Sequence, residues 1–305
     1  MRLHVIVDFM HIYYKYFFQM RDGRLKKLTS VVDMNGTNVE IDTSLIYYSL
    51  RDIEGLRRQF EELKHDVTIS VCFDSPSIRH EENAEYKSTR KKVLTDDNFR
   101  DLKIINELLI KAGYNTYKHD GIEADDLVNK LISEFKDNFD YSIIYTNDKD
   151  LLINICDNVG CMRFKATKGY SRVEKSTYEQ YLENEYGVFI PYNALGLFLA
   201  SVGDTADDIK GINKFGKVAF KKLITKISCT HNIDWSQCGD YNKLEEVVEY
   251  CKEVLTDEQY QQLKDSFELV RNTNIKFDIM YPSNKTSEEK RTQAYTEFNM
   301  ISLIK

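Results

Sequence analysis

Three short apolar runs rich in β-branched residues each stop at, or one residue short of, an aspartate. Leu3–Val7 runs into Asp8, Val67–Phe73 into Asp74, and Tyr141–Thr146 reaches Asp148 after a single asparagine. Helical patterns separate these runs. Thr43 and Ser44 are placed to cap a helix whose apolar residues Leu45, Ile53, Leu56, Phe60 and Leu63 recur near the 3.6-residue period. Asp96 or Asp97 opens a second, bearing Phe99, Leu102, Ile105, Leu108, Leu109 and Ala112, with Gly113 just past its end. Tyr114–Tyr117 reads as a further short strand and Ile122–Phe135 as a third helix. Strands alternating with helices predict a mainly parallel sheet wrapped by helices. In such sheets ligands gather beyond the carboxyl ends of the strands, where the three aspartates fall.

Past Ser176 the pattern turns helical: Ser176–Gly187, Pro191–Val202, two short helices around Gly211–Gly216, then Lys243–Val254 and Asp257–Asn272. The expected division is an α/β core over 1–175 and a helical subdomain over 176–305. Asn35-Gly36 is a hairpin turn signal inside an early insertion. No apolar run approaches the ~20 residues that cross a bilayer, and the N-terminus does not resemble a signal peptide, so a soluble, cytoplasmic protein with no membrane partner is expected. The six cysteines form no CxxC pair. Cys229, His231 and Cys238 are the nearest approach to a metal-binding group; buried thiols are the simpler reading.

Nine carboxylates carry the chemistry: Asp8, Asp74, Glu123, Asp125, Asp126, Asp148, Asp150, Asp204 and Asp207. Singly, each has an ordinary role as a helix-start, turn or cap residue. Gathered at one sheet edge they would repel one another and resist ionisation unless a cation neutralised them. Hard divalent ions suit such oxygen donors, and two of them about 4 Å apart can activate water and stabilise the leaving oxygen of a phosphodiester. The formal net charge is −7, so setting aside these nine acids leaves the remainder near +2. An aspartyl phosphatase is excluded, because its chemistry wants a second acid two residues after Asp8, where Met10 stands.

Two basic segments complement the acids. If Ser75–Lys92 is helical, Arg79, Lys87, Arg90 and Lys91 line a face for phosphates, and Tyr86 offers a ring for an unpaired base. The alternative is a solvated charged helix. From Ile209 to Lys226 there are six lysines and no acid. Gly211 and Gly216 bracket a turn surrounded by Lys214, Lys217, Lys221 and Lys222, which suits a sequence-independent grip on a duplex backbone or, more plainly, a lysine-rich surface helix.

The blocks VDFMHIYYKYF, FDSPSIRHEENAEYKSTRKK, GIEADDLVNKL, TNDKDLL and VGDTADDIKGINKFGKVAFKKL resemble, in order and spacing, the 5′-nuclease family: phage 5′–3′ exonucleases, flap endonucleases and the N-terminal nuclease domain of bacterial DNA polymerase I. The likeness spans residues 5 to about 225, and TEFNMISLI is similar to the family's closing segment. It implies a PIN-like nuclease core with a helical arch at about 75–100 and a helix–three-turn–helix motif at about 204–226. It assigns Asp8, Asp74, Glu123, Asp125 and Asp126 to a first Mg²⁺ or Mn²⁺, and Asp148, Asp150, Asp204 and Asp207 to a second. Lys87 and Arg90 become the arch residues that engage the scissile phosphate, Tyr86 the arch tyrosine, and Gly211–Lys222 the duplex grip, with K⁺ at that motif. Asp208, Lys210 and Lys214 stand where the family usually has Asn, Pro and Gly.

The implied protein is a monomeric 5′-3′ exonuclease or flap endonuclease acting on DNA with 5′ ends, flaps or nicks in replication and repair, in a bacterium or a phage-infected cell and alongside a replication-protein partner. Two alternatives stay open: an enzyme of this fold directed at RNA or RNA–DNA hybrids, and a branched-DNA-binding protein without turnover.

Overall fold

Strand β1 (Arg2–Asp8) holds Leu3, Val5, Ile6 and Val7 with no solvent exposure, as a strand covered on both faces requires. In the computed structural model, which describes residues 1–34, 37–76, 93–165, 169–237, 241–270 and 277–304, the chain forms two compact units. The first comprises Met1–Ser75, the described part of Lys92–Asn147, and Asp278–Lys305; the second, over its described residues, is Pro76 with the described part of Asp148–Phe277. The units therefore divide the chain near residue 147 rather than 175, and the last 28 residues belong with the first.

In the first unit β1 is followed by α1 (Phe9–Arg21), an antiparallel pair β2 (Thr29–Met34) and β3 (Thr37–Asp42), α2 (Ser44–Glu62), β4 (Asp66–Cys72), α3 (Asp96–Lys111), β5 (Asn115–Tyr117), α4 (Ala124–Phe135) and β6 (Tyr141–Tyr145). Four strands run parallel in the order β5-β4-β1-β6, with Asp8 level with Cys72. The expected helices form with small corrections. Leu63 and Phe99 are exposed: Leu63 lies past the last turn of α2, and the buried stripe of α3 starts from Asn98 and Asp101 rather than Phe99 and Leu102. Asn98 earns that place by capping, since its Oδ1 accepts from the Thr95 amide at 2.9 Å while its amide donates to Tyr13 Oη at 3.1 Å. The Asn35-Gly36 turn lies outside the described residues, but the pairing of Met34 with Thr37 brackets it.

The C-terminal segment closes this unit. The Asn115 side chain donates to Asn284 O at 3.0 Å and accepts from Asn284 N at 2.9 Å, as a neighbouring strand would, and Tyr117 Oη donates to Met280 O at 2.9 Å. The outer edge of β5 is thereby covered. The helix Glu288–Thr296 then buries Arg291, Ala294 and Tyr295.

His4 sits unexposed in β1, 2.7 Å from Ser70 Oγ and stacked 4.4 Å from Phe139. Burial lowers its pKa from 6.5 to about 3. The unfolded chain thus takes up this proton on acidification while the folded chain refuses it, so stability falls as pH drops from about 6.5 toward 3. Between pH 7 and pH 5 His4 should cost about 2 kcal/mol. Unfolding free energies from denaturant titrations at the two pH values should differ by that much less in His4→Gln, which keeps a partner for Ser70; an unchanged difference would refute the assignment.

In the second unit β7 (Val159–Lys165) and β8 (Gly169–Val173) form an antiparallel pair that the sequence patterns did not announce. Helices α5 (Tyr178–Tyr186), α6 (Leu195–Val202), α7 (Lys217–His231), α8 (Tyr241–Cys251) and α9 (Asp257–Val270) follow. The expected pair of short helices about Gly211–Gly216 is instead a non-helical connection between α6 and α7, because Gly203 and Gly211 take positive φ and Asp204 pairs with Ile209 as an isolated bridge. No helix among the described residues is long and apolar enough to cross a membrane.

Candidate functional site

In the first unit the carboxylates collect where β1 and β4 end. Asp8 is the last residue of β1, and Thr146 Oγ1, just past β6, donates to its Oδ2 at 2.7 Å. Asp74, two residues beyond β4, accepts from Ala124 N at 2.7 Å through Oδ1. That amide opens α4, with Glu123 at the N-cap and Asp125 and Asp126 in the first turn, so the acids sit at the positive end of a helix. Burial, then Asp8, Asp125 and Asp74, push the unexposed Cys72 thiol far above its ordinary pKa. Three carboxylates, from the end of β1, the segment after β4 and the first turn of α4, therefore bear on one side chain.

The second unit gathers its own set. Asp150 N donates to Asp148 Oδ1 at 2.9 Å, folding the Asp148-Lys149-Asp150 turn. Asp204 is locked by its bridge to Ile209 and by Ala206 N, which donates to its Oδ1 at 2.8 Å. Burial, followed by Asp148, Asp207 and Asp204, drives the Asp150 carboxyl up to about 8, and Lys149 works in the opposite direction. Asp150 Oδ1 is buried with no hydrogen-bond partner. Lys149 Nζ lies 3.3 Å from Asp204 Oδ2 and 5.5 Å from the Tyr186 ring centroid.

A set of oxygen donors held close enough to oppose one another's ionisation, with one oxygen lacking a proton donor, fits a hard divalent cation. Among the described residues no three His, Cys, Asp or Glu side chains form a ready-made group for direct ligation of one ion.

The connection after α6 carries the lysines. Gly211 has φ 67°, and a Cβ there would lie 2.5 Å from Gly203 N and 2.7 Å from Val202 C, so only glycine fits. Gly216 is different: it is the extended N-cap of α7 and a Cβ would meet nothing within 4 Å. Lys214, at the position where the resemblance called for glycine, takes φ 56°, so the chain keeps the left-handed turn without the residue that favours it. Lys210, Lys214, Lys217, Lys221, Lys222 and Lys226 are all exposed, while Phe220, Leu223, Ile224 and Ile227 anchor α7. Gly211→Ala should lower stability by about 2–4 kcal/mol and Gly216→Ala by less than about 0.5 kcal/mol in denaturant unfolding. Equal effects would contradict this description of the turn.

The 5′-3′ exonuclease N-terminal resolvase-like domain matches residues 3–187, about three-fifths of the chain. The chain belongs to the 5′-3′ exonuclease family. Among the relatives of this family member, the DNA polymerase I of Caldicellulosiruptor bescii is 27% identical over 304 residues, covering 98% of this chain and 32% of the relative. The 5′-3′ exonuclease of Buchnera aphidicola subsp. Schizaphis graminum is 27% identical over 259 residues, covering 83% of this chain and 82% of the relative. This 5′-3′ exonuclease family chain thus spans about a third of the length of that polymerase relative. The bacteriophage T5 D15 protein, co-crystallised with metal ions, shares the fold with a TM-score of 0.53 at 17% identity, over 88% of this chain and the whole of that one. The T5 D15 flap endonuclease in a pseudo-enzyme-product complex with DNA and metal ions gives the same TM-score at 17% identity, over 88% of this chain and 99% of that chain.

Of the residues singled out from sequence, Asp8, Asp74 and Asp125 converge in the first unit, with Glu123 and Asp126 on the same helix start. Asp148, Asp150, Asp204 and Asp207 converge in the second. Arg79, Tyr86, Lys87, Arg90 and Lys91 lie outside the described residues. Sequence reasoning missed Thr146, Lys149 and Tyr186. The first two lie inside the TNDKDLL block, yet nothing in their spacing shows which acid each one meets.

Proposed function

We propose that the chain is a divalent-metal-dependent 5′ nuclease that hydrolyses phosphodiester bonds at DNA 5′ ends, flaps or nicks. The observation that carries this reading is the pair of carboxylate sets, above all the Asp150 carboxyl crowded by Asp148, Asp207 and Asp204. Asp8, Asp74, Glu123, Asp125 and Asp126 would hold one Mg²⁺ or Mn²⁺, and Asp148, Asp150, Asp204 and Asp207 another, in part through water. When bound, such ions supply an activated water and stabilise charge on the departing 3′ oxygen. Asp8 is oriented by Thr146, and Asp74 by the Ala124 amide, so both carboxylates are aimed before any ion arrives. Lys214, Lys217, Lys221 and Lys222 would take duplex phosphates, aided by the uncapped amides opening α7 after Gly216. Backbone carbonyls of the Gly211 turn would hold K⁺. Lys87 and Arg90 would steady the scissile phosphate while Tyr86 stacks on a base and Arg79 and Lys91 meet the strand.

A 5′-labelled flap incubated with Mg²⁺ or with EDTA, beside nicked-duplex and RNA–DNA hybrid substrates, tests the reading. The expected result is Mg²⁺-dependent cutting near the flap junction. Faster cutting of the hybrid would assign RNA as the target. Flap binding without Mg²⁺-dependent cleavage would replace the nuclease with a binding protein.

A further inference from the structure

Lys149 separates two aspartates of the second set in sequence and touches a third in space. Its ammonium is 3.3 Å from Asp204 Oδ2; the Asp204 side chain is only 3% exposed, whereas Lys149 keeps 33% of its side-chain surface. An accessible cation on a flexible stem therefore neutralises an inaccessible anion. Around it the polar groups are incompletely paired: Asp150 Oδ1 and the Tyr186 hydroxyl are both buried without hydrogen-bond partners, and the ammonium lies 5.5 Å over the Tyr186 ring. A buried polar group left without a partner calls for one, and a bound ion is one such partner. A lysine can also leave without moving the backbone, since its charge rides on four methylenes and its head group favours water.

We propose that Lys149 is the built-in counter-cation of the Asp148, Asp150, Asp204 and Asp207 set, holding Asp204 in competition with a divalent ion and released toward solvent when that ion takes the carboxylate. The inference rests on the metal-dependent reading of this site. It gives the lysine two tasks. It limits the repulsion that would otherwise open the turn from Asp148 to Asp150, and after displacement it becomes a mobile positive charge beside the site, suited to a substrate phosphate. Because one ammonium and one divalent ion seek the same oxygen, Lys149 weakens ion binding while it is seated.

The test is Mn²⁺ titration of the full chain, reading free Mn²⁺ by electron paramagnetic resonance, with thermal midpoints in EDTA and in Mn²⁺ for wild type, Lys149→Met and Lys149→Arg. Lys149→Met should bind Mn²⁺ on the order of tenfold more tightly, as expected when one competing charge at this range is removed. Its midpoint should fall in EDTA and gain more than wild type on adding Mn²⁺. Lys149→Arg, whose fork holds a carboxylate more firmly, should bind Mn²⁺ no better than wild type. Unchanged or weaker Mn²⁺ binding by Lys149→Met would overturn the proposal while leaving the metal reading standing. Absence of Mn²⁺ binding by wild type and both variants would remove the metal reading and this proposal with it.

Discussion

Asp125→Asn is expected to lose flap cleavage by on the order of 10³-fold or more while still retaining flap DNA, since a bound ion contributes several kcal/mol to stabilising charge in phosphodiester hydrolysis. Asp125 lies in the first turn of α4 and is one of three carboxylates that bear on Cys72. The amide replacement keeps its shape and loses the charge that an ion would need. Asp150→Asn should lose activity to a similar degree for the same reason in the second set. Its stability should move the other way, because one of four mutually repelling acids has gone. In EDTA its thermal midpoint should equal or exceed that of wild type, whereas cleavage in Mg²⁺ should nearly vanish. Gel-resolved cleavage rates and flap-binding titrations check both variants. Wild-type rates in either would count heavily against that carboxylate set as a metal site.

The second large effect concerns folding. Glu54, wholly unexposed in α2, accepts from Tyr114 Oη and Tyr295 Oη, each at 2.7 Å, and from Arg57 Nε at 2.9 Å, with Arg291 Nε 3.7 Å away. Tyr295 and Arg291 belong to the C-terminal helix, so one buried charge ties the end of the chain to its first unit. Glu54→Leu should cost about 3–5 kcal/mol, because two buried guanidinium groups lose their shared partner. Ending the chain after Phe277 should do more harm. It removes Tyr295 and Arg291 from around Glu54 and uncovers the β5 edge that Asn284 and Met280 now close. Denaturant unfolding of Glu54→Leu and sedimentation of the truncated chain measure these effects. A truncated chain that stays monomeric with a wild-type midpoint would show the segment to be dispensable.

The strands leading to Asp8 and Asp74 and the helix opening with Glu123-Ala124-Asp125-Asp126 could be found in the sequence because side-chain alternation and end-capping act over a few residues. The pair β7–β8 is harder to see, since β8 is partly exposed and the pair bears Arg163, Lys165 and Arg172 among its apolar residues. The connection around Gly211 misled for another reason. Its glycines and lysines fit a helical hairpin, but the approach of Gly211 to Gly203 pulls the backbone into a left-handed turn that no local preference reveals.

Which residues are acids, where strands stop and which family the chain joins are properties of local order, and short-range sterics and hydrogen bonding write them into the amino acids directly. Which groups meet is another matter. Thr146 reaches Asp8 across 138 positions, and Tyr295 reaches Glu54 across 241. Contacts of that range depend on the path of the whole backbone and on the burial that makes an unpaired charge or hydroxyl costly, so only the folded chain selects them.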